Sequence, residues 1–364
     1  MKTRASTYRL EYLDWLRGFG ALIMLQGHVF DSFLKPELRP RDTWMVSQFA
    51  GGMPPAIFLF LTGVTLAFLM DSSERRGLAG PQRVITAFRR SGYLFLIAFA
   101  FRLQMFVFGF PAAWTDLFKV DILNCMGFSI ALLSVMAIFR TRQRVIAAGA
   151  AGLAIAMAAP LVSALNWSRV PAEVADYIVP THVAFGFFPW AAHLAFGISV
   201  GSLIRTLKPE DTDGAIRWIA LGAGLTIVIA QLCAASSRSI YAAADYWLNS
   251  PALVLTKVGA TLVMLCAAYL WTRYGARQGA WSFVRQFGVT SLLVYWVHIE
   301  LVYGRWFWFW KNSLTVAQTA VAAVAVILLM LGISALRTNW ARVRASLAEM
   351  GWGYAPAPQR VPGD

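Results

Sequence analysis

One apolar stretch near the start of the chain holds Asp14, Arg17, His28 and Asp31. Ionisable groups in such a stretch are costly, so each is a candidate for function. Arg17 and His28 are 11 residues apart. On a helix that is about 1100° of rotation, three turns plus roughly 20°, and roughly 16 Å of rise. The two therefore share a face, and Asp14 and Asp31 fall within about 40° of it by the same geometry. Asp31, at i+3 from His28, is within reach to orient the imidazole and stabilise an imidazolium. An imidazole working near neutral pH is a natural base for taking a proton from a hydroxyl or an amine. The bland reading of the same residues is a basic anchor at Arg17 and an interfacial histidine at His28.

The elements that must carry this stripe follow from composition. Of 364 residues, 58% are hydrophobic and only 14% charged, and the mean hydropathy is +0.58. A soluble domain of this size cannot hide so much apolar surface, so soluble, disordered and disulfide-framework classes are excluded. The apolar residues gather in blocks of about 20, the length a helix needs to cross a bilayer. The fold class is an all-α polytopic membrane bundle with ten expected spans, near 12–34, 48–70, 91–110, 120–139, 145–165, 183–204, 216–236, 251–271, 287–303 and 315–336. Spanning sheets fail on backbone hydrogen bonding. Basic residues concentrate on one side of this scheme, in the N-terminus, 75–90, 140–144, 205–217, 273–285 and the C-terminal tail. Far fewer fall in the opposite loops, which puts both termini in the cytoplasm. The net charge of +14 is thereby mostly topological, and nucleic acid is not an expected partner. Residues 1–353 read as one domain, followed by a mobile Pro-rich tail, 354–364.

Smaller features fit that frame. Cys125, Cys233 and Cys266 lie in apolar runs and read as buried hydrophobes, with no metal expected. The first apolar run, with Asp14 and Arg17, is not a cleavable signal. The aromatic loop 304–314 reads as an interfacial anchor, and Gly197 with Gly201 suits close helix packing. Arg102 in the third span needs a partner, for which Asp121 or Asp31 is available, while Asp121 and Asn124 share a helix face. Lys257 can snorkel. His298, with Tyr295 and Tyr303 nearby, is either part of a site or an interior histidine, and His182 and His193 read as structural.

The segment LDWLRGFGALIMLQGH (13–28) resembles the first membrane helix of the transmembrane acyltransferase superfamily, in which Arg, ten residues and His recur. MPPAIFLFLTGVTLAFL (53–69) is similar to the second span of the heparan-alpha-glucosaminide N-acetyltransferase catalytic family. VDILNCMGFSIALL (120–133), FFPWAAHLAFGISVG (187–201) and GVTSLLVYWVHIELVYG (288–304) resemble later blocks of that family in the same order. The resemblance implies transfer of an acetyl or other short acyl group from cytoplasmic acyl-CoA, acetyl-CoA foremost, to a sugar or glycan outside. Animal lysosomal members of the family have a large luminal region, and their catalytic histidine need not sit where His28 does. The implied roles are His28, Asp31 and Arg17 in catalysis, either by direct transfer or through an acyl-histidine. Arg89, Arg90 and Arg102 are assigned to the donor, and Asp121, Asn124 and His298 to the acceptor, with a structural pair as the alternative for Asp121 and Asn124. The cluster Arg75, Arg76, Arg83, Arg89 and Arg90 is suited to the donor's phosphates, or else to orientation and anionic lipid. Membrane lipid and a carbohydrate acceptor are the expected partners, a homodimer is left open, and the location is a prokaryotic inner membrane. A proton-coupled transporter is the alternative, because intramembrane His, Asp and Arg also relay protons. A non-catalytic scaffold leaves the Arg17–His28 alignment unexplained.

Overall fold

The computed structural model describes residues 10–39, 49–109, 111–181, 184–241, 244–275, 281–340 and 343–344. The expected tail 354–364 and His182 lie outside the described residues. Helix dominates: α1 (Glu11–Phe33), α2 (Met53–Arg75), α3 (Gly80–Phe108), α4 (Ile122–Leu133), α5 (Thr141–Ser163), α6 (Phe187–Thr206), α7 (Thr212–Ile240), α8 (Pro251–Leu270), α9 (Phe283–Val289), α10 (Ser291–Tyr303) and α11 (Val316–Thr338). Each expected span coincides with helix. Seven helices, α2, α3, α5 to α8 and α11, are long and apolar enough to cross a membrane. The stretches Ile122–Ile138 and Ser291–Tyr303 are apolar but shorter, and α1, of 23 residues, carries the charged stripe.

Three boundaries differ from the expectation for physical reasons. Helix α3 begins at Gly80 because Pro81 fits a first turn, where a missing N–H costs nothing. Arg83, Arg89 and Arg90 are therefore helical rather than in a loop. The span 120–139 tightens into a 3-10 segment at Ser134–Ile138. The span 287–303 is broken at Thr290 (φ −115°, ψ 20°), which separates α9 from α10.

The interior is built on α2, α6 and α8, whose apolar residues are mostly buried within the bundle. Glycines set the closest approaches. A Cβ on Gly63 would lie 2.0 Å from the Leu194 carbonyl oxygen, and one on Gly197 would lie 2.0 Å from that of Phe60. Gly201 is similarly pressed against Val64, so α2 and α6 meet backbone to backbone, as the Gly197–Gly201 spacing anticipates. By contrast α3 and α7 keep Leu96, Phe99, Leu103, Leu221, Leu225 and Leu232 on the exterior. Large exposed apolar faces on helices of this length are those of a protein whose solvent is lipid.

Helices α1, α10 and α11 frame one end-to-end wall. At one end Arg285 donates to Glu11 at 2.7 Å. At the other, Leu314 N–H donates to the Phe33 carbonyl at 2.9 Å, and Lys35 N–H to that of Leu314 at 3.0 Å. Asp121 caps α4, its Oδ1 accepting from Leu123 and Asn124 N–H. Thr315 and Gln318 form a reciprocal capping box at the start of α11.

Candidate active site

His28, half-buried on α1, meets fully buried His298 on α10, with Nδ1 of His28 2.9 Å from Nε2 of His298. The rings stack with centroids 5.2 Å apart. The protons follow from the partners. Nδ1 of His298 lies 2.6 Å from the Val294 carbonyl, which can only accept, so that nitrogen carries the hydrogen. In the neutral ring Nε2 of His298 is then an acceptor, and Nδ1 of His28 must donate to it. Nε2 of His28 keeps its lone pair, and among the described residues nothing bonds to it. The result is an oriented imidazole with its basic nitrogen free.

Tyr303 closes the other side. Its ring stands edge-on to His28 at 5.3 Å, and its hydroxyl donates to Oδ2 of exposed Asp31 at 2.9 Å. The sequence assigns ring orientation to Asp31. In the structure His298 holds the ring by direct bond, while Asp31 acts on it through Tyr303. Beyond Tyr303, Lys311 donates to the Tyr303 carbonyl at 2.5 Å. Burial pulls the Lys311 ammonium below its usual range, and Glu300 opposes this.

A cavity of about 770 Å³ opens between α1, α2, α3, α4 and α10, and neither His28 nor His298 is among its lining residues. Arg17, Arg90 and Arg337 line it, together with Thr62, Thr65, Thr290 and Ser291, and Leu66, Leu94, Ile122, Met126 and Ile130 form an apolar wall. Tyr295 also lines it, and its ring lies 6.0 Å from that of His298. The cavity thus runs from guanidinium groups to Tyr295, which separates it from His298. The break at Thr290 opens onto it, so the first turn of α10 contributes to its wall. Arg17 also bonds Asp14 at 2.9 Å, which leaves a charged pair rather than a lone cation at that depth.

Other expected site residues go elsewhere. Arg89 is exposed and is not among the cavity's lining residues. Arg102 pairs with Asp121 at 3.1 Å, and Asn124 donates to the Lys119 carbonyl at 3.2 Å, so the structure engages these three in fastening α3 to the start of α4. Arg75 is bound to Asp71 at 2.9 Å, and Arg205 joins the same carboxylate at 2.6 Å. Arg83 and buried Arg144 share Glu74. The basic cluster therefore divides into the paired Arg75 and Arg83, the exposed Arg89, and Arg90, which lines the cavity. Lys257 does not snorkel: it is buried, with Nζ 5.1 Å from the Trp190 ring centroid. Sequence reasoning missed Arg337, Thr290 and Ser291. Arg337 looks like an ordinary positive-inside residue, and a helix break leaves no mark in an apolar run.

The catalytic-domain model of the heparan-alpha-glucosaminide N-acetyltransferase family matches residues 9–243. Four of the five resembling blocks lie inside that range, while 288–304, with His298, lies beyond it. None of the curated protein sequences matches the chain. The match covers well over half of the protein, including His28, Arg17 and Arg90, and the chain is a member of the heparan-alpha-glucosaminide N-acetyltransferase catalytic family of membrane transferases.

Proposed function

We propose that the protein transfers a short acyl group, acetyl foremost, from cytoplasmic acyl-CoA to a hydroxyl or amino group of a sugar on the far side of a prokaryotic inner membrane. Both termini are cytoplasmic in this reading, following the basic-residue asymmetry. The observation that carries it is an oriented His28, its Nε2 unbonded among the described residues, on the same helix as Arg17, which lines a cavity bearing three guanidinium groups. The phosphates of the donor bind Arg17, Arg90 and Arg337, since guanidinium forks match phosphate oxygens. The apolar wall takes the rest of the donor and brings its thioester toward Tyr295. Nε2 of His28 accepts the proton of the acceptor's hydroxyl or amine as its oxygen or nitrogen attacks the acyl carbon. The carbon–sulfur bond breaks, CoA leaves as the thiolate, and the proton on His28 then neutralises it. The developing imidazolium is relieved through Nδ1–H to His298, which itself donates to Val294. An acyl-histidine path uses the same nitrogen as nucleophile.

Purified protein in detergent or nanodiscs, given labelled acetyl-CoA and a panel of saccharides, should release free CoA in step with a labelled sugar. Absence of both hydrolysis and transfer across the panel would overturn the reading. The interrupted span at Thr290 is a feature shared with transporters. Saccharide uptake into vesicles without CoA release would favour that second reading.

A further inference from the structure

A second polar cluster sits in the membrane-embedded part of the bundle, on α6, α8 and the turn before α8. Lys257, His193 and Ser250 are 8%, 2% and 1% exposed, and all three line a cavity of about 20 Å³. Ser250 Oγ and His193 Nδ1 are buried with no hydrogen-bond partner, and none of the ion pairs among the described residues involves Lys257. Its ammonium lies over the face of Trp190, at 5.1 Å from the ring centroid. The remaining lining is Pro189, Trp247, Leu248, Leu253 and Val254, which brings no acid. An ammonium, an unpartnered imidazole nitrogen and an unpartnered hydroxyl thus converge on one small space, and in the Nδ1–H tautomer of His193 all three can donate. A buried cation is tolerated when an anion accompanies it, and the volume suits one small group.

The geometry points to an anion site: Lys257, His193 and Ser250 hold a halide or a carboxylate. The site is separate from the histidine pair and does not depend on acyl transfer.

The test is thermal unfolding of the purified full-length protein at constant ionic strength, with sodium isethionate replaced stepwise by chloride, bromide, formate or glucuronate. The midpoint should rise by about 2–4 °C as chloride or formate saturates the site. Lys257→Met should lose the rise, and Ser250→Ala should shift it to higher anion concentration. Equal potency of chloride and formate identifies a free small anion. Glucuronate, too large for a cavity of about 20 Å³, should leave the midpoint where isethionate does, and a rise with it would overturn the site. No difference between isethionate and any tested anion in the unaltered protein overturns the proposal, as does a rise that persists in Lys257→Met. Should Lys257→Met not insert, the Ser250→Ala comparison decides, and an unchanged concentration dependence there overturns it.

Discussion

His28 gains its chemistry from what fixes its protons. The Val294 carbonyl fixes the tautomer of His298, and that in turn fixes the tautomer of His28. His28→Ala should therefore lower turnover by about a hundred- to ten-thousand-fold, the usual contribution of a general base, with a near-normal unfolding midpoint. Turnover within a few-fold of wild type would remove His28 from the mechanism. His298→Ala should also be severe, because Nδ1 of His28 loses its acceptor and either tautomer becomes accessible. His298→Gln should recover part of the rate, since the amide oxygen can accept the same proton, and kcat should separate the two variants. Asp31→Asn should be milder than either, as its influence passes through the Tyr303 hydroxyl. Combining Asp31→Asn with His28→Ala should add little, because groups acting as a unit are not additive.

Among the elements, the crossing of α1 over α9 decides where the charged stripe can point. A Cβ at Gly18 would sit 1.7 Å from the Val284 carbonyl oxygen, and one at Gly288 would sit 1.8 Å from that of Asp14. These are backbone contacts that no rotamer change relieves. Gly18→Ala and Gly288→Ala should each cost about 1–3 kcal/mol or more by overpacking. A lower unfolding midpoint and a lower yield of monodisperse protein would report it. Gly332→Ala in α11, where nothing lies within 4 Å, should leave both unchanged and serves as the control. If Gly18→Ala matched that control, the close crossing of α1 and α9 would be wrong. The break at Thr290 follows directly on this crossing, and Ser291 and Leu293 beyond it lie on the cavity wall.

At the scale of the whole molecule, the cavity sorts the arginines that charge alone leaves equivalent. Arg90→Gln and Arg337→Gln should raise the KM for acyl-CoA by about ten- to a hundredfold. This corresponds to charge-assisted hydrogen bonds of about 1.5–3 kcal/mol. Arg89→Gln should change it little, since that side chain is absent from the lining. Equal effects at Arg89 and Arg90 would return the pair to a topological role. Reporter fusions should find both chain ends in the cytoplasm and residue 169 outside; cytoplasmic labelling at residue 169 would reverse the direction of transfer.

The all-helical membrane architecture was readable in the chain because apolar blocks of bilayer length admit no other solution. The alignment of Arg17 with His28 was readable too, since a single helix converts spacing into direction. So was the packing role of Gly197 and Gly201, which depends on local size alone. The partner of His28 was not, because His298 is 270 positions away and no periodicity connects them. The choice among arginines also needed the fold. Arg75 and Arg83 look like Arg90 in the sequence, yet acidic residues on α2 claim the first two, and only Arg90 faces the cavity. Lys257 reads as a snorkelling lysine until α6 and α8 pack around it. Contacts between helices far apart in sequence arise only when helix faces pack together, so the tertiary structure alone decided which polar groups in the spans meet: His28 with His298, Arg102 with Asp121, and Lys257 with Trp190.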